Sequence, residues 1–184
     1  MSKALYIILF VCFFNIVQSQ SDKDIFIDAN IGLGLTTPIE SVDIYGEGFY
    51  IQGEYVHKVK KWFELRPYVG FITTSKTDNE ENPTLDIFEA TANIFLIGGK
   101  ARILAPIPYV GPYIEAGIGA NIGNIRTLTS QVDIDKSGFG YHIPLTLGLA
   151  IGKNYNFDIA FSYYIHPSEE LISGAFSIGY TFEL

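Results

Sequence analysis

The chain closes on a run that alternates with a period of two. Phe176, Ile178, Tyr180, Phe182 and Leu184 are apolar, whereas Ser177, Gly179, Thr181 and Glu183 are small or polar. Successive side chains of a β-strand point to opposite faces, so this pattern describes a strand with two unlike faces and is incompatible with a helical stripe. The same alternation recurs along the rest of the sequence, and it predicts an all-β fold.

Seven further strands follow from it. In the first, Ile25, Ile27, Ala29, Ile31, Leu33 and Leu35 oppose Asp28, Asn30, Gly32 and Gly34. The second (47–57) sets Phe49, Ile51 and Tyr55 against Tyr50, Gln52 and Glu54. The third (62–74) sets Phe63, Leu65, Val69 and Phe71 against Glu64, Arg66, Tyr68 and Gly70. The fourth (86–104) is the least regular. Ala90, Ala92, Ile94 and Leu96 alternate with Glu89, Thr91 and Asn93, and the phase then shifts so that Lys100 and Arg102 become the polar positions. A bulge at Gly98-Gly99 would produce that shift. The fifth (109–125) carries Ile114, Ala116, Ile118, Ala120 and Ile122 against Glu115, Gly117, Gly119 and Asn121. The sixth (138–152) and seventh (155–166) continue the pattern, with His142 and Asp158 on their polar faces.

The connections predict an order. Segments 36–46, 74–86, 124–137 and 167–172 are long and polar, and segments 58–61, 104–108 and 152–155 are short. Alternating long and short connections between eight strands describe an antiparallel up-and-down barrel with both termini at one end.

Residues 1–19 read as a cleavable secretory leader, with Lys3, an apolar stretch over 5–14 and a cleavage site after Ser19. A spanning helix needs about 20 apolar residues, more than this stretch offers. Residues 20–184 then form one barrel domain. The only cysteine is Cys12, so the exported chain would carry no disulfide, thiolate metal site or cysteine nucleophile. The formal charge is −8, which argues against nucleic acid as a partner.

Alternation alone does not say which face looks outward, since a soluble barrel also alternates. Three features place the apolar face outside, against lipid. The polar face is rich in glycine (Gly32, Gly34, Gly70, Gly117, Gly119, Gly140, Gly148, Gly179), which suits the crowded interior of a narrow barrel. It also carries ionisable groups of both signs: Glu54, Glu64, Glu115 and Asp158 with Arg66, Lys100 and Arg102. Enclosed charges have to pair, so these seven residues form the predicted charge network of the lumen. Lastly, the long connections are acidic, while the short ones hold Lys58, Lys60, Lys61 and Lys153. Trp62 and Tyr109 at one end, and Tyr45 and Tyr164 at the other, occupy girdle positions.

On these residues the chain resembles the small OmpA/OmpX-type outer-membrane β-barrels over 24–184. The closing run GAFSIGYTFEL is similar to the carboxy-terminal signal read by the barrel assembly machinery, with Leu184 where many members have Phe. The resemblance implies export through the periplasm with chaperones, residence in the outer membrane of a Gram-negative bacterium, and lipids and lipopolysaccharide as neighbours. It implies no single function.

Motifs for chemistry are weak. His166-Pro167-Ser168-Glu169 invites comparison with outer-membrane lipid A deacylases, but Pro167 separates the two groups and no suitable downstream acid follows. His57 reads as a turn residue and His142 as a lumen residue. The run GLAIGK at 148–153 lies in an alternating strand, and its glycines are too close for a phosphate loop. Asp78, Asn79, Glu80 and Glu81, and Asp133 with Asp135, are oxygen-rich but lack EF-hand spacing. The expectation is a non-enzymatic structural or surface-interaction protein without cofactor or metal. A narrow channel or small-solute binder using the charged lumen is the alternative, and a lipid A-modifying enzyme the third reading.

Overall fold

The computed structural model of the protein describes residues 26–39, 45–76, 89–128 and 133–184. The candidate leader, Ile25, and the acidic residues 78–81 lie outside them. The described residues form eight strands: β1 (Phe26–Pro38), β2 (Gly46–Lys60), β3 (Phe63–Lys76), β4 (Glu89–Leu104), β5 (Val110–Leu128), β6 (Asp133–Ile151), β7 (Phe157–His166) and β8 (Leu171–Glu183). Each pairs antiparallel with its neighbours in sequence, and β8 returns to β1, so the sheet closes into a transmembrane up-and-down barrel. The shortest strand has 10 residues, enough to cross a hydrocarbon layer when tilted.

The faces divide as the alternation requires. Ile31, Phe49, Val69, Ile114, Leu147 and Ile178 stand on the outside, part of a belt that includes Leu33 at 67% exposure. An apolar surface of that extent is untenable in water and stable against lipid tails. Gln52, Arg66, Glu115, His142 and Asp158 point inward and are buried.

Four sequence expectations change. The bulge at Gly98-Gly99 is not there: the β3–β4 and β4–β5 ladders run through both glycines in constant register. The register irregularity lies in β2 between Lys58 and Lys60. Ala90, Ala92, Ile94 and Leu96 therefore share the inward phase of Lys100 and Arg102, and all are buried, while Phe95 and Ile97 face outward. The sequence is apolar on both faces here because one end of the lumen is itself lined by apolar side chains, so alternation carries no phase to read.

Two of the connections expected to be long are shorter than that. Residues 124–128 and 133–137 extend β5 and β6, and 167–170 is a turn. Arg126, Asp133, Asp135 and Lys136 thus belong to a ribbon. Arg126 pairs there with Asp133 at 3.4 Å and Asp135 at 3.2 Å. Among the described residues, β6 meets β7 only from Ile143 onward, so its first ten residues pair with β5 alone.

Tyr164 is not a girdle residue. It is fully buried in the lumen, whereas Tyr45, Trp62 and Tyr109 are exposed. Tyr163 takes the outward position beside it. His57 is a strand residue of β2 opposite Leu65, not a turn residue.

Candidate functional site in the lumen

Side chains fill the barrel in three levels. Nearest the short turns lies a band of charge. It contains all seven residues of the sequence-derived network and adds Asp28 from the polar face of β1. Arg66 reaches Asp28, and its Nε lies 2.6 Å from Glu54 Oε2. Lys100 Nζ bridges Glu54 Oε1 at 2.6 Å and Glu115 Oε2 at 2.7 Å. Arg102 joins Glu115 through Nε at 2.6 Å and Asp158 through Nη1 at 3.1 Å. Glu64 sits 3.4 Å from Arg66 Nη1 and 3.9 Å from Arg102 Nε.

These links span the lumen as well as following the ladders. Opposite each other on neighbouring strands are Arg66 and Lys100, and likewise Asp28 and Glu54, both like-charged pairs. Such pairs repel unless opposite charges are interleaved from elsewhere. Arg66 therefore crosses to β1 and β2, and Lys100 to β2 and β5. The guanidinium of Arg102 also lies 3.6 Å from the centre of the Tyr113 ring. The Tyr113 ring fits only because residue 148 is glycine, where a Cβ would collide with it.

Above the charges is a layer of aromatic and amide groups. Gln52 Nε2 donates to Glu54 Oε1 at 2.6 Å, and the Tyr164 hydroxyl donates to Gln52 Oε1 at 2.7 Å. The Tyr50 and Tyr164 hydroxyls are 2.8 Å apart. Tyr68 shares a 2.5 Å hydrogen bond with His142 Nε2. Gly119 allows that bond, since a Cβ there would lie 2.5 Å from both atoms. Alternation places Tyr50, Gln52, Tyr68 and His142 on the polar face; it misplaces Tyr164, because tyrosine suits either face of a membrane strand.

The end of the lumen away from the short turns is an apolar plug of Ile72, Ala90, Ala92, Ile94, Leu96, Ile125, Leu171 and Ala175, all buried together. Its edge is laced by the Thr36 hydroxyl, 2.9 Å from Thr74 Oγ1 and 2.9 Å from the carbonyl of Ala90. His166 turns into the lumen, with Nε2 3.1 Å from Ser173 Oγ, while Ser168 stands exposed on the turn. The suspected His166–Ser168 dyad is not assembled. Glu169 folds inward and pairs with Lys136 at 2.9 Å. Among the described residues there is no group of three or more His, Cys, Asp or Glu side chains arranged to hold a metal ion.

No protein-family model and no curated protein sequence matches the chain. Solved structures do. Neisserial surface protein A superposes with a TM-score of 0.61 at 12% identity, covering 89% of this chain and 100% of that one. The chain has the fold of the small outer-membrane β-barrels. The N-terminal barrel domain of Pseudomonas aeruginosa OprF (14% identity, 89% and 100% coverage) and OprG of the same organism (11%, 88% and 97%) each give a TM-score of 0.50. At such identities the likeness is one of fold. The lumen of this small outer-membrane barrel has to be interpreted from its own residues.

Proposed function

We propose that the protein is a non-enzymatic barrel of the Gram-negative outer membrane that acts through its outer end, as an envelope component or a surface contact. The observation that carries this reading is the filled lumen. The charge band, the tyrosine layer and the apolar plug lie in series, and eight strands leave little more room than their side chains occupy. An apolar plug in line with paired charges disfavours the channel reading. The β5–β6 ribbon, with its exposed Phe139 and Tyr141, is a surface available for contact at the plugged end. The siting, the cleaved leader, lipopolysaccharide as neighbour and the assembly machinery as catalyst of insertion all belong to this proposal. They rest on the lipid-facing belt and the fold.

Cell fractionation combined with heat-modifiable gel migration tests the siting: the folded chain should travel with outer membranes and shift on boiling. Planar-bilayer recording tests the role. The purified barrel should give no unitary conductance, and reproducible openings would favour the channel.

A further inference from the structure

The short-turn end of the barrel opens into a concave cup of about 880 Å³, within the size range of small-ligand pockets. We propose that this cup binds a multiply charged organic phosphate. The chain is acidic overall, yet Lys58, Lys60, Lys61 and Lys153 all line this one concavity. Lys58 continues the inward row of Glu54 and Val56, and its Nζ is held 3.6 Å over the Phe26 ring. It faces the barrel mouth and not the lipid.

The cup is braced before any ligand arrives. Tyr155, in the left-handed region at φ 57°, donates its hydroxyl to the Ile107 carbonyl at 2.7 Å. Gly152 N donates to the Tyr109 carbonyl at 2.9 Å. Asn156 clasps Thr181 through two hydrogen bonds. A preformed site spares the ligand much of the ordering cost.

The lysines favour a phosphate. The guanidiniums at the floor, Arg66 and Arg102, are already engaged by carboxylates, so planar two-point recognition of a carboxylate is not on offer. Ammonium groups on flexible stems act as point charges and suit phosphate oxygens. Val56 and Leu104 add apolar wall for an organic moiety. Two carboxylates also line the cup against its four lysines: Glu183 at the exposed end of β8, and Glu64 of the charge band, 13% exposed, which limits how deeply an anion can enter.

The phosphate has two sources, a solute of the aqueous compartment or a phospholipid headgroup. The test is calorimetric titration of the full-length folded barrel in non-ionic detergent with tripolyphosphate. Saturable binding is expected at low salt, weakening as salt rises. Replacing two lysines, Lys58→Gln with Lys153→Gln, should weaken it about tenfold, the scale of two exposed charge contacts. Glu64→Gln should tighten it, and Lys136→Gln at the far end should leave it unchanged. Heat-modifiable migration checks that each variant is folded. Repeating the titration in phosphatidylglycerol nanodiscs separates the sources: competition that depends on Lys58 and Lys153 assigns the headgroup, and undiminished affinity assigns the solute. Absence of saturable binding, or equal affinity in the double-lysine variant, overturns the proposal.

Discussion

Lys100 and Arg66 are directly opposed across the β3–β4 ladder, and both are buried, yet Glu54 bridges them, one cation on each carboxylate oxygen, while Asp28 and Glu115 supply the further negative charge. Glu54 is thus the hinge of the band, and its neighbour Glu115 plays the same part between Lys100 and Arg102.

Removing one of these carboxylates should be costly. Glu115→Gln leaves two buried cations short of a partner, and a broken buried pair costs about 3–5 kcal/mol. Denaturant unfolding of the barrel in micelles should show a loss of that order. An equally stable variant would mean that water reaches the band.

The phase of β4 is open to a direct check. Cys12 is the only cysteine of the sequence, so in a Cys12→Ser background Phe95→Cys and Ile97→Cys should be modified by a lipid-soluble maleimide in bilayers. Ile94→Cys and Leu96→Cys should stay protected. The reverse result would restore the Gly98-Gly99 bulge.

Leu96→Ala should destabilise the plug by about 2–5 kcal/mol, the usual range for a buried aliphatic truncation. Thermal loss of the gel shift would report it. An outward residue such as Ile97 changed to Ala should cost less, because lipid fills the space.

Gly119 tests the middle layer. In Gly119→Ala the new methyl meets the Tyr68 hydroxyl and His142 Nε2 at 2.5 Å. Overpacking of this kind costs about 1–3 kcal/mol. Combining it with Tyr68→Phe should recover part of the loss, as measured by unfolding midpoints.

Much of this architecture is legible from alternation. Where one face is oily and the other carries glycine or charge, as in β1, β3, β5, β6 and β8, the strand phase follows without the structure. The seven members of the charge band stand out because mixed charges beside glycines have few places to go. Legibility fails where the lumen turns apolar, because Ile94 and Leu96 then look like their lipid-facing neighbours Phe95 and Ile97. It fails again for Tyr164, whose ring fits a girdle and whose hydroxyl fits a buried bond to Gln52 equally well. Asp28 was visible on a polar face, but its partner Arg66 lies two strands away beyond β2, a relationship that alternation within single strands does not carry. The tight 167–170 turn was obscured by its polar residues.

The unequal lengths of β6 and β7 have one more effect. Among the described residues, the first half of β6 pairs on one side only, and such an edge is a template on which another extended chain can stack. Asp133, Asp135 and Lys136 stand on this overhang. Charged side chains on an open margin discourage unwanted pairing. The residues that resemble an ordinary hydrophilic connection are thus the kind of charge that keeps an open strand margin from pairing with a second copy.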